Sequence, residues 1–162
     1  MPKRKAPAAT RAHQATKTAV DAVRECADAL FRAADECCHQ HDRIARVLGK
    51  SVVEEELATA QKMCELCDRT LLALAESYES TSAQVHPTGA DEAWWRSANA
   101  VWLASRDFLR RHRGGDMASG QFKSHGPGRL GELYAGYELG ASALLALRHA
   151  AEGYRQVRPA AT

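Results

Sequence analysis

Residues 20–48 read VDAVRECADALFRAADECCHQHDRIARVL. Within them, Val20, Val23, Ala27, Leu30, Ala34, Cys37, His41, Ile44 and Leu48 follow one another at steps that alternate between three and four. That is the seven-residue repeat of an α-helix that buries one stripe against its neighbours. Gly49-Lys50-Ser51 interrupts the pattern, and Ser51 followed by Glu54 forms a capping box that opens a second helix. Val53, Leu57, Ala60, Cys64, Cys67, Leu71, Leu74 and Tyr78 make up its seam at the same steps.

Residues 80–89, with Pro87 among them, predict a loop, and Asp91 is placed to cap a third helix. That helix carries Trp94 or Trp95, Ala98, Val101 or Trp102, Ser105, Phe108 or Leu109, and His112 along its seam. The stretch RGGDMASGQFKSHGPG (113–128) is too rich in glycine to be helical. A fourth seam follows with Leu130, Leu133, Tyr137, Gly140, Leu144, Leu147, Ala151 and Tyr154, and Pro159 ends it. The expected fold is all-α: an antiparallel four-helix bundle with heptad-like seams and a long glycine-rich loop between the third and fourth helices.

Composition agrees with one such domain. The chain has 162 residues, 45% of them hydrophobic but only 6% aromatic, and alanine and leucine are good helix formers. Charge is unevenly placed. Lys3, Arg4, Lys5 and Arg11 stand in residues 1–14 without an acid, which leaves 18 of the 22 bases to set against all 20 acids. The body is therefore mildly acidic, and nucleic acid is an unlikely partner except through the basic N-terminal tail. The expected organisation is a flexible basic tail over residues 1–14, a single bundle over 15–158 and a short tail over 159–162. No stretch approaches the ~18 apolar residues of a membrane span. Nor does an apolar segment mark the start for export, so the expectation is a cytoplasmic protein. The five cysteines are then expected as thiols.

Those thiols raise the sharpest chemical question. ECCHQHD (36–42) sets two cysteines and two histidines within five positions. If the first two helices fold back about residue 50, Cys37 faces Cys64, Ala34 faces Cys67 and His41 faces Ala60. Cys37, Cys64, Cys67 and His41, with Cys38 at the edge of the seam, are then candidate ligands for Zn or Cu, because thiolates and imidazoles suit both metals. Cysteine is equally a common core residue, and a thiol pair could be redox-active. Cys26, Leu30, Ala33 and Cys37, with Ala60, Cys64, Cys67 and Leu71, fall on the steps at which cysteine-rich four-helix copper-storage proteins place their thiols. The first two helices resemble that family in spacing, which implies a single bound metal; half of the positions here are not cysteine.

A second resemblance lies in SRDFLRRH (105–112). Arginine, a polar residue and then histidine is similar to the motif of HEPN domains, helical bundles many of which are dimeric ribonucleases. The resemblance implies Arg106 on a phosphate, Asp107 as the polar residue and His112 as general acid or base. Di-iron bundles need a Glu-x-x-His on each of two helices, and no such pair of motifs is present; the phosphate-loop motif is absent as well. The expectation from sequence is a non-catalytic bundle acting by self-association or by binding a protein partner, with a Cys/His metal or thiol layer in its core. A Zn- or Cu-binding bundle and a HEPN-like ribonuclease are the alternatives.

Overall fold

The computed structural model describes residues 7–48, 54–113 and 130–158. The expected capping box at Ser51, the glycine-rich connection and the closing tail lie outside them, as do the side chains of His112 and of residues 130–141. Four helices account for nearly all of the described chain: α1 (Ala8–Leu48), α2 (Glu54–Ser82), α3 (Glu92–Arg113) and α4 (Leu130–Val157). The chain is an all-α four-helix bundle, and no described helix is long and apolar enough to cross a membrane.

Cross-helix contacts give the topology. Cys26 meets Ser77 and Thr81 while His41 meets Asp68, so α1 and α2 are antiparallel. Tyr78 bonds Asn99, and Arg106 faces Glu79, so α2 and α3 are neighbours. Asp35 and Asp42 of α1 meet Arg155 and Arg148 of α4, so these two helices are antiparallel as well. Arg24 with Asp91 and His41 with Phe108 keep a constant offset, so α1 and α3 run parallel across the bundle's diagonal. The result is up-down-up-down.

The seams predicted from spacing form the core. Val23, Ala27, Leu30, Ala34, Cys37, His41 and Ile44 of α1 are buried, as are Ala60, Cys64, Cys67, Leu71 and Tyr78 of α2. Small residues on both seams let these two helices lie close together, while α3 and α4 fill the remaining space with Trp94, Phe108, Leu109, Leu147 and Tyr154. Trp94 takes the seam. Trp95 and Trp102, a heptad apart, are half-buried at its rim, where each indole N–H has no hydrogen-bond partner among the described residues.

Three local features differ from expectation. First, α1 begins at Ala8, inside the stretch expected as a flexible tail. Pro7 pre-sets the helical φ, its carbonyl accepts the Arg11 amide at 3.1 Å, and an alanine-rich run continues the helix. Second, the chain leaves α2 only after Ser82 and turns back at Gly89, whose φ of +66° is left-handed and suits a residue without Cβ. Third, Asp91 lies in a short 3-10 turn before α3, with its carboxylate on Arg24 rather than serving only as a helix cap.

One polar cluster ties three helices together. The Tyr154 hydroxyl donates to Asp28 Oδ1 at 2.5 Å and accepts from the Trp94 indole at 3.2 Å, and its ring packs on Phe31 at 5.1 Å. Arg158 stands 3.6 Å from the same aspartate. Tyr154→Phe removes both hydrogen bonds and leaves a buried indole N–H without an acceptor. The expected loss is about 1–3 kcal/mol in urea unfolding, with the helical circular dichroism unchanged.

Candidate functional site

The cysteine and histidine layer lies between α1 and α2, under α3. Its centre is a residue that spacing did not single out. Asp68 is fully buried, and its Oδ1 stands 3.0 Å from His41 Nε2 and 3.9 Å from Cys37 Sγ. The imidazole is itself buried and packs edge-on against the Phe108 ring at 5.1 Å. A carboxylate oxygen accepts, so the His41 proton toward Asp68 sits on Nε2, and the Cys37 thiol donates to the same oxygen. A buried carboxylate is tolerated because it has these partners.

The sulfurs are arranged differently from the simple fold-back. Cys37 lies against Cys67 and Asp68; Cys64 acts on it more weakly. The helix pair is thus displaced by about one turn, ~5.4 Å, from the register in which Cys37 faces Cys64. Cys38 points away from the layer, toward α4 and Arg148. Cys26 is separate again, at 3.5 Å from the Thr81 hydroxyl and 3.8 Å from that of Ser77. All five cysteines are free thiols.

Electrostatics keeps these thiols protonated. Burial pushes the Cys37 thiol far up, and the Asp68 carboxylate adds to the effect. Burial also raises Cys67, helped by Glu36 and Asp68. Cys38 is pushed up to about 11 by burial, against the opposing pull of Arg148. A nucleophilic cysteine needs a thiolate stabilised by a neighbouring cation. Here the nearest polar neighbour of Cys37 is a carboxylate, and the Nε2 edge of His41 is taken up by that same carboxylate. The cluster is built as a polar tie between α1 and α2 and not as an activated thiol. Among the described residues, no three His, Cys, Asp or Glu side chains are arranged to hold a metal ion.

The HEPN-like residues lie elsewhere. Arg106 is exposed, stacks over the Trp102 ring at 5.1 Å and faces Glu79 at 3.8 Å. Asp107 accepts from Arg110 at 3.0 Å and from Arg111 at 2.9 Å; desolvation pushes its carboxyl up, but the hydrogen bonds and charges of the two arginines together hold it below the usual range. His112 belongs to α3, but its side chain is outside the described residues.

Asp68 was legible in principle. It stands four residues after Cys64 and three before Leu71, on the apolar stripe of α2. An acid in that place demands a donor from a facing helix, and His41 was the polar residue on the facing seam. Compared with protein-family models, with curated proteins and with solved structures, the chain matches none of them.

Proposed function

We propose that this chain is a non-catalytic helical bundle that acts by association, with a second copy or a protein partner, through the first part of α1. The supporting observation is an overhang. Core burial on α1 begins at Val23, whereas the helix starts at Ala8. Of the preceding residues, those whose side chains are described are exposed up to Thr18 and only half-buried at Ala19 and Val20. Among the described residues, their polar contacts are local, such as Thr18 to the Gln14 carbonyl at 2.9 Å. A helix of that length without a packed face is marginal in water. A partner supplies the burial that makes such an arm worthwhile, and its bases (Arg11 and Lys17, beside Lys3, Arg4 and Lys5 in the sequence) favour an acidic surface.

On this reading the thiol layer is core material, and free cysteines fit a reducing compartment such as the cytoplasm. Light scattering on the full chain and on a variant lacking residues 1–18 tests the proposal. The full chain should exceed the monomer's 17.7 kDa as concentration rises, and the truncated one should remain a folded monomer. A full chain that stays monomeric and binds no acidic protein surface overturns it. Metal analysis of wild type beside Cys64→Ser with Cys67→Ser separates a core thiol layer from one that holds Zn or Cu at Cys37, Cys38, His41, Cys64 and Cys67.

A further inference from the structure

On the outside of α2, Thr59, Met63, Leu66, Thr70, Ala73 and Ser77 follow one another at steps that alternate between four and three, and all are exposed. Residues at those steps share one helix face, so this is a strip without charge on the side away from the core seam. Met63 and Leu66 are 36% and 59% exposed and are the exposed large apolar side chains of this helix. Thr59 and Thr70 turn their hydroxyls back to the carbonyls of Glu55 and Leu66, at 3.0 and 2.9 Å, so their polar atoms are satisfied within the helix. At the start of the strip stand Glu55 and Glu56, both exposed and without an ion-pair partner among the described residues.

The overhanging part of α1 is its complement. Arg11, Ala15, Thr18 and Ala22 share one side of that helix and are exposed. The Thr18 hydroxyl is satisfied by the Gln14 carbonyl, and Arg11 has no ion-pair partner among the described residues. Small side chains on this line let another helix approach closely. The lengths agree as well. Arg11 to Ala22 and Glu55 to Leu66 are both steps of eleven residues, or ~16 Å of helix. With Arg11 beside Glu55, Ala15 comes to Thr59 and Ala22 to Leu66. The arm cannot reach that place on its own α2, because Cys26 lies beside Ser77 and Thr81 and Glu55 is at the far end of the bundle.

We propose that the arm's partner is a second copy of this chain, and that the arm docks on the outer strip of that copy's α2; this rests on the association reading above. An arm that overhangs its own bundle reaches the other α2 when the two bundles lie side by side and reversed. It then runs in the same direction as that α2, with its basic start on Glu55 and Glu56 and its small residues on Met63 and Leu66. Each copy gives one arm and receives one, so the pairing closes as a two-fold dimer. The apolar contact supplies the affinity, and the opposite charges set the register.

Sedimentation equilibrium on the full chain and its variants tests this. Leu66→Lys acts at both contacts of the dimer and should weaken dimerisation about a hundredfold or more. Arg11→Glu and Glu55→Lys should each weaken it about tenfold, and the two together should restore it to within a few-fold of wild type. All three positions are exposed, so circular dichroism should show every variant folded. Dimerisation that Leu66→Lys and Glu55→Lys leave unchanged, but that loss of residues 1–18 abolishes, overturns docking on α2 and leaves the arm's role standing. So does a combined charge swap that binds no tighter than its single variants. A wild type that stays monomeric and binds an acidic protein surface instead overturns the second copy as partner. Dimerisation that survives loss of residues 1–18 removes the association reading and this inference with it.

Discussion

Asp68→Ala is expected to destabilise the bundle by about 3–5 kcal/mol, the largest effect of any single substitution proposed for this protein. The carboxylate is fully buried and bonds His41 from the facing helix, with the Cys37 thiol on the same oxygen. Removing it takes from a buried imidazole and a buried thiol the acceptor they share, and a lost buried hydrogen bond carries a desolvation cost. Asp68→Asn keeps the shape and an acceptor oxygen, so its cost should be smaller. The informative comparison is the double variant His41→Leu with Asp68→Leu. Replacing both members of a buried polar pair by apolar side chains is often neutral or stabilising. It should recover most of the loss seen in Asp68→Ala. Urea unfolding of wild type and the three variants reads the comparison, and an Asp68→Ala protein within about 0.5 kcal/mol of wild type would show that the pair contributes nothing.

Alkaline pH should unfold the protein more readily than its mild composition suggests. Cys37, Cys38, Cys67, Tyr78 and Tyr154 all have pKa values raised by folding, chiefly through burial. Each is neutral when protonated, so the folded state holds its proton to higher pH than the unfolded chain does. Stability from these groups is therefore fully present below the ordinary thiol value of 9.0 and is lost as pH rises past it. For Cys38 the loss runs from 9.0 to about 11. Within its window each group contributes a slope of about 1.4 kcal/mol per pH unit. The slopes of the thiols add over the pH range they share, which begins at their ordinary value. The urea midpoint should be flat with respect to these groups near neutrality and fall steeply between pH 9 and 10. Cys37→Ala should reduce that slope by one proton's share. A midpoint that stays constant through pH 10 would mean that the thiols titrate freely in the folded state.

The four helices were legible because helical periodicity is a local property. The seam buries one stripe wherever the helix is docked, and Val23, Leu30, Cys37 and Ile44 are in the core as their spacing predicted. Local reasoning went astray where local preferences were evenly balanced. The start of α1 turned on whether Pro7 and an alanine-rich run outweigh a basic tail's tendency to stay open. The role of Asp91 turned on Arg24, which is 67 residues distant in the chain.

The candidate sites were legible only as inventories. Sequence placed Cys37 and His41 on one seam facing α2, but it did not single out Asp68 as their shared partner, nor that Cys38 turns to α4. A side chain's place around its own helix follows from 100° per residue, and the chain itself therefore determined which face each residue occupies. How far one helix slides along another does not follow from that angle. A slide of one turn keeps every apolar stripe in contact and costs little in burial, so it is decided by how specific groups meet. Here a buried carboxylate had to find an imidazole, and a row of aspartates seven residues apart had to find the arginines of α4. Those meetings exist only in the assembled bundle.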